Sequence, residues 1–145
     1  MSVVSSSGYA HVRLTVTDIA ASKAFYDEVF GWPVAIDNSD RVSEPGIAES
    51  REDFYGGTVY QTPSGALFGL RPVAPTGQRF DSEHTGLDHV SFLVASRADL
   101  VAAQDSLEAR GVPHGEVTDL ADAGIAILSF CDPDGVHLEL AAPLE

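Results

Sequence analysis

The chain has 145 residues, 44% of them hydrophobic, with 8 Lys+Arg against 22 Asp+Glu and a formal net charge of −14. So few cations cannot neutralise a phosphate backbone, which excludes nucleic acid and anionic membrane surfaces as expected partners. Cys131 is the lone cysteine, so no internal disulfide forms. No stretch approaches the roughly 20 apolar residues of a membrane span, and the N-terminus lacks the pattern of a signal peptide, so the expected location is cytoplasmic.

The length predicts one domain, or one built from two similar halves. Val12, Leu14 and Val16 recur with period two, which predicts a strand over 10–17 with His11, Arg13 and Thr15 on its other face. Thr17 or Asp18 caps a helix whose apolar stripe is read as Ala21, Ala24, Phe25 and Val29, and Gly31 ends it. A short strand over 32–36 follows, then a polar, acidic stretch over 37–57 that reads as a mobile loop. Strands at 57–62 and 66–72 flank a turn at Pro63-Ser64-Gly65.

Residues 73–86 have linker composition, and beyond them the order of elements repeats. Residues 87–94 alternate like the first strand. Ser96 and Asp99 read as a capping box ahead of a helical stripe of Leu100, Ala103 and Leu107, stopped at Gly111. Strand-like segments lie near 112–117 and 124–131, Asp132-Pro133-Asp134-Gly135 is a turn, and 136–141 is the last strand. His11-Val-Arg-Leu-Thr-Val aligns with His89-Val-Ser-Phe-Leu-Val, and Thr62-Pro-Ser-Gly-Ala-Leu-Phe-Gly-Leu70 with Asp132-Pro-Asp-Gly-Val-His-Leu-Glu-Leu140. Each half is β-α-β-β-β, and the repeat spans module one over 9–72 and module two over 87–143.

His11, His89 and Glu139 sit on predicted strands, on the side opposite the apolar residues. Two imidazoles and a carboxylate brought together from rigid strands make a facial triad that holds a divalent metal with open positions. Leu138 and Leu140 face the core in the last strand, so His137 points the same way as Glu139 and is the candidate proton-transfer group, its alternative being a polar residue that lines the cavity. Arg13 and Arg71 have the strand parity to clamp a carboxylate or phosphate of a substrate, with an internal ion pair as the competing role. Tyr60 is a further candidate to hydrogen-bond substrate, its alternative being to line the cavity. His84 and His114 read as solvated, and Cys131 as a strand-end residue with nothing to depress its pKa.

These motifs, with Ser22-Lys-Ala-Phe-Tyr26 and Gly86-Leu-Asp-His-Val-Ser-Phe92, resemble the vicinal oxygen chelate superfamily. That group includes glyoxalase I, extradiol dioxygenases, methylmalonyl-CoA epimerase, and the fosfomycin and bleomycin resistance proteins. The resemblance implies an α+β fold in which two βαβββ modules form a cup-shaped, incompletely closed mixed β-barrel with helices outside. It places three metal ligands on His11, His89 and Glu139, and the fourth of glyoxalase I and the epimerase on Gly69, which cannot ligate. A three-ligand set resembles extradiol dioxygenases and fosfomycin transferases, and the scarcity of cations counts against the phosphonate chemistry of the latter. The resemblance therefore implies a metal-dependent enzyme acting on a small oxygenated molecule, with dioxygenase-like chemistry preferred and Fe(II) ahead of Mn, Zn or Ni. A non-enzymatic antibiotic-binding protein is the alternative. Relatives also imply a homodimer.

Overall fold

In the computed structural model, which describes residues 2–144, the chain divides into two units, Met1–Gln78 and Arg79–Glu145. The first begins with β1 (His11–Thr15), where alternation holds: Leu14 and Val16 are 5% and 0% exposed while His11, Arg13 and Thr15 stay open. Asp18 caps α1 (Ile19–Val29), its Oδ1 accepting the N–H groups of Ala20 and Ala21 at 3.0 and 3.2 Å. Gly31 leaves the helix at φ +61°, the left-handed stop a glycine adopts without strain. The rest of the unit is β2 (Val34–Asp37), β3 (Thr58–Gln61) and β4 (Leu67–Arg71). The strands run β1-β4-β3-β2, with β1 and β4 parallel and the other pairs antiparallel.

Two expectations need correction here. The buried stripe of α1 is Ile19, Ser22 and Tyr26, one residue or about 100° round from the stripe centred on the alanines. Tyr26 decides the rotation, because its ring packs 5.1 Å from Phe68 on β4, and an alanine offers far less area to bury. Residues 38–57 are not an unstructured loop. Three single turns of 3₁₀ helix, Ser39–Arg41, Ile47–Glu49 and Phe54–Gly56, fold them down. Acids of this stretch serve as partners: Arg41 bonds Glu44 at 3.0 Å and Asp53 at 2.8 Å, and Ser50 donates to Asp53 at 2.8 Å.

The second unit repeats the pattern with β5 (Val90–Leu93), α2 (Arg97–Ala109), β6 (Thr118–Leu120), β7 (Ile125–Cys131) and β8 (His137–Pro143), ordered β5-β8-β7-β6. The capping box at Ser96 and Asp99 forms, and Leu100 and Leu107 are the buried helical positions. Residues 112–117 make only an isolated bridge, His114 to Phe130, and the regular strand comes later, at 118–120. Pro113 has no N–H to give a ladder, and the N–H of Val117 is taken by the Gln104 side chain at 2.8 Å. Asp132 Oδ1 closes the turn before β8 by accepting from Asp134 and Val136, both at 2.9 Å. Each unit thus has one helix and one open, four-stranded mixed sheet, the two-module α+β architecture the repeat predicts.

Candidate functional site

In the second unit β5 and β8 run parallel with Ser91 beside Glu139 and Val90 beside Leu138. Leu138 and Leu140 are buried on the helix side, which turns His137 and Glu139 to the other face. There a cleft of about 580 Å³ is lined by His89, His114, Ser129, Cys131, His137 and Glu139 among others. His89 Nε2 lies 3.7 Å from Glu139 Oε2, too long for a hydrogen bond. A divalent ion with bonds of about 2.1 Å sets tetrahedral ligand atoms about 3.4 Å apart, so the pair is spaced to share one with a small adjustment.

Both side chains are oriented from behind. His89 Nδ1 meets Asp88 Oδ1 at 2.6 Å, and donation there leaves the Nε2 lone pair free toward Glu139. Ser91 Oγ donates to Glu139 Oε1 at 2.8 Å, leaving Oε2 for the imidazole side. The Glu139 side chain is 15% exposed, and among the described residues no Lys or Arg pairs with it. An orienting carboxylate behind a histidine and a hydroxyl behind a carboxylate are the supports metal ligands require. The residues present fit a divalent metal.

His137 sits on the same face of β8 as Glu139, its ring 5.4 Å from that of Phe80. His114 is not solvated as expected: it lines the cleft, bonded to the Gly115 carbonyl and at 2.6 Å to Glu108, and these bonds raise its pKa. His84 is exposed, with Asp81 at 3.4 Å. Burial raises the pKa of the Cys131 thiol, and Asp132 adds to it, so the cleft holds no activated thiolate. Among the described residues no group of three or more His, Cys, Asp and Glu is assembled for a metal; the second unit supplies the pair.

The first unit places His11 and Arg13 on the face of β1 away from α1, with Arg13 beside Gly69 in register. Arg71 shares that face, and its guanidinium carbon lies 3.9 Å from the centre of the Tyr55 ring. Tyr60 is elsewhere. It is 0% exposed on the helix side, its hydroxyl donating to Asp27 of α1 at 2.8 Å, so a contact with substrate gives way to a core role. Burial first, then the Asp27 bond, pushes that phenol well above its ordinary pKa. Sequence reasoning missed Asp88, Ser91, Arg51 and Tyr55. Ser91 was within reach, since it follows His89 by two residues on the same strand face; Tyr55 depends on a backbone path no pattern announces.

Residues 8–140 match the model of the Glyoxalase/Bleomycin resistance protein/Dioxygenase superfamily. The chain belongs to that superfamily. A glyoxylase/bleomycin resistance protein/dioxygenase domain from Frankia sp. EAN1pec is 29% identical, with a TM-score of 0.77 over 97% of this chain and 95% of that one. A glyoxalase/dioxygenase from Nostoc punctiforme is 22% identical, with a TM-score of 0.73 over 100% of this chain and 99% of that one. A mutant of the fosfomycin resistance protein FosX from Listeria monocytogenes, complexed with Mn(II) and 1S,2S-dihydroxypropylphosphonic acid, is 16% identical, with a TM-score of 0.70 over 96% of this chain and 94% of that one. The last two share the fold. No curated protein matches the sequence significantly. The superfamily holds enzymes, metal binders and resistance proteins, so the reaction has to be argued from the site.

Proposed function

We propose that this member of the superfamily is a divalent-metal-dependent enzyme acting on a small oxygenated organic molecule, with His11, His89 and Glu139 as the ligands. The observation that carries the reading is the His89–Glu139 pair, oriented by Asp88 and Ser91 and facing a cleft. Once bound, the metal supplies Lewis-acid stabilisation of negative charge on neighbouring substrate oxygens. Glu139 supplies the charge that holds it, and the two imidazoles complete a three-ligand set with positions left for substrate. His137, two residues before Glu139 on one strand face and so about 7 Å away, moves the proton. Gly69 in place of a fourth ligand supports dioxygenase-like chemistry with Fe(II) over glyoxalase I or epimerase chemistry. A homodimer in the cytoplasm belongs to the same proposal, supported by the edge strands β1 and β5 and by Leu93, 88% exposed on β5.

The test is metal content per chain after dialysis of untagged protein loaded with Fe(II), Mn(II) or Zn(II). Glu139→Gln is nearly isosteric but neutral, and Glu139→Gln, His89→Ala and His11→Ala should each weaken retention at least 10- to 100-fold, the scale seen for lost ligand support. His84→Ala should not. Full occupancy in Glu139→Gln would overturn the metal reading and leave a metal-free binding protein as the better account. Sedimentation that finds only monomer at micromolar concentration would contradict the dimer.

A further inference from the structure

We propose that Arg13, Arg51, Arg71 and Tyr55 form a site for an oxyanion, a carboxylate or phosphate-type group borne by the substrate, on the face of the first sheet away from α1. The chain has 22 acidic residues and 8 cationic ones, so a cation without a carboxylate partner is unexpected. Five of its eight cations are engaged: Lys23 with Asp37, Arg41 with Glu44 and Asp53, Arg97 with Asp119, Arg79 with the Pro133 carbonyl, and Arg110 with the Ser106 carbonyl. Arg13, Arg51 and Arg71 form no ion pair among the described residues. They gather instead on one ring. The guanidinium carbons of Arg71 and Arg13 lie 3.9 and 5.7 Å from the centre of Tyr55, and the nearby Arg51, with Arg71 and Arg13, holds the Tyr55 phenol below its ordinary pKa.

The structure holds this gathering in place at some expense. Phe54 and Tyr55 both adopt left-handed backbone, at φ +51° and +59°, which is strained for residues with side chains. The segment then runs so close to β4 that a Cβ on Gly57 would stand 2.0 Å from the Leu70 carbonyl oxygen, and only glycine passes there. That path fixes Tyr55 above Arg71. Gly69 makes the matching concession to Arg13: a Cβ there would lie 3.3 Å from Arg13 Cγ and 3.5 Å from its Nε. The Nε–H of Arg71 is covered and has no acceptor, so this guanidinium is held half-buried without a hydrogen bond at that atom.

Three like charges repel, and the ring face offsets only part of that repulsion. Guanidinium stacked on a ring keeps its edge donors free, and that planar fork matches the two oxygens of a carboxylate or of a phosphate-type group. A bound anion supplies the missing charge and the acceptors together. His11 precedes Arg13 by one pleat repeat on the same face, about 7 Å along the strand, so the anion would bind next to a proposed metal ligand. The role of the anion as part of a substrate rests on the proposed metal enzyme, whereas the binding itself does not.

The test is calorimetric titration of the full chain with inorganic phosphate and, separately, with acetate, at low ionic strength. One anion per chain is expected, tighter for phosphate if the group is tetrahedral and tighter for acetate if it is planar. Arg13→Gln, which alters an exposed side chain and spares the fold, and Arg71→Gln should each weaken binding about tenfold or more, as loss of a charged hydrogen-bond donor does. Arg97→Gln, in the second unit, should bind as wild type does. Tyrosinate absorbance gives an independent reading: the bound anion should shift the titration of Tyr55 to higher pH, and Tyr55→Phe should abolish that shift. Absence of saturable binding, or equal binding by wild type, Arg13→Gln and Arg71→Gln, would overturn the assignment. Metal retention by the arginine variants and phosphate binding by Glu139→Gln should both be unchanged, so failure of this site and failure of the metal reading are told apart.

Discussion

The two units share strand order and differ most at one pair of positions. In the first, Arg13 on β1 stands beside Gly69 on β4; in the second, Ser91 on β5 stands beside Glu139 on β8. The repeat makes these the same place. One half puts a cation across a residue with no side chain, and the other puts an anion beside a small hydroxyl donor. The residues that differ in charge lie on the face of each sheet turned from its helix, where Arg13 is exposed and Glu139 half-buried. The apolar residues on the other face, Leu14, Phe68 and Leu70 in one unit and Leu128, Leu138 and Leu140 in the other, do not change character. On the proposed reading, a guanidinium marks the position in one unit and a carboxylate marks it in the other.

Gly69→Glu challenges that contrast most strongly. Sequence alignment alone makes it a restored metal ligand, but Arg13 lies over the position and would pair with the new carboxylate. Phosphate affinity should fall well over tenfold while metal retention stays the same, measured by titration and metal content. A gain in metal affinity would show that the first unit can be converted into a copy of the second. Ser91→Ala removes the donor that aims Glu139 and should weaken metal retention about tenfold, with the melting profile of the metal-free form unchanged.

Tyr60→Phe makes the helix side of the first sheet more like that of the second, where Phe130 takes the equivalent place beside Leu138. Loss of the bond to Asp27 should cost about 1 kcal/mol in denaturant unfolding and leave metal and phosphate binding untouched. The smallest effect concerns His114, confined to the second unit. Its pKa is raised by the Gly115 carbonyl and then by Glu108, so its charged form is favoured in the folded state. The stability this provides is fully present below the ordinary histidine value of about 6.5 and is lost as pH rises through the folded value. Melting temperatures of wild type and His114→Gln should therefore converge as pH rises above that range.

The sequence carries the parts of the fold in which one face is buried and the other is not. Alternation in β1 and β8, the caps at Asp18 and Ser96, and the turn at Asp132 to Gly135 follow from local chemistry, and alternation in β8 sets Glu139 on the face opposite Leu138 and Leu140. Tyr60 was misplaced because Thr58, Val59 and Tyr60 are all buried, and a strand covered on both sides shows no parity. The Tyr55 cluster was illegible for a different reason. It is built by left-handed backbone at two ordinary residues and by acids folding onto Arg41, and both are decided by tertiary contacts. Arg13 and Arg71 were visible as candidates; that they converge on one ring was not.

The most direct test of the division between the halves is a crystal structure of the wild-type chain grown with Mn(II) and inorganic phosphate. The account predicts an anomalous manganese peak within bonding distance of His89 Nε2 and Glu139 Oε2, and phosphate density on the guanidinium groups of Arg13 and Arg71 beside Tyr55. Manganese away from His89 and Glu139, or phosphate that makes no contact with those arginines, would contradict it.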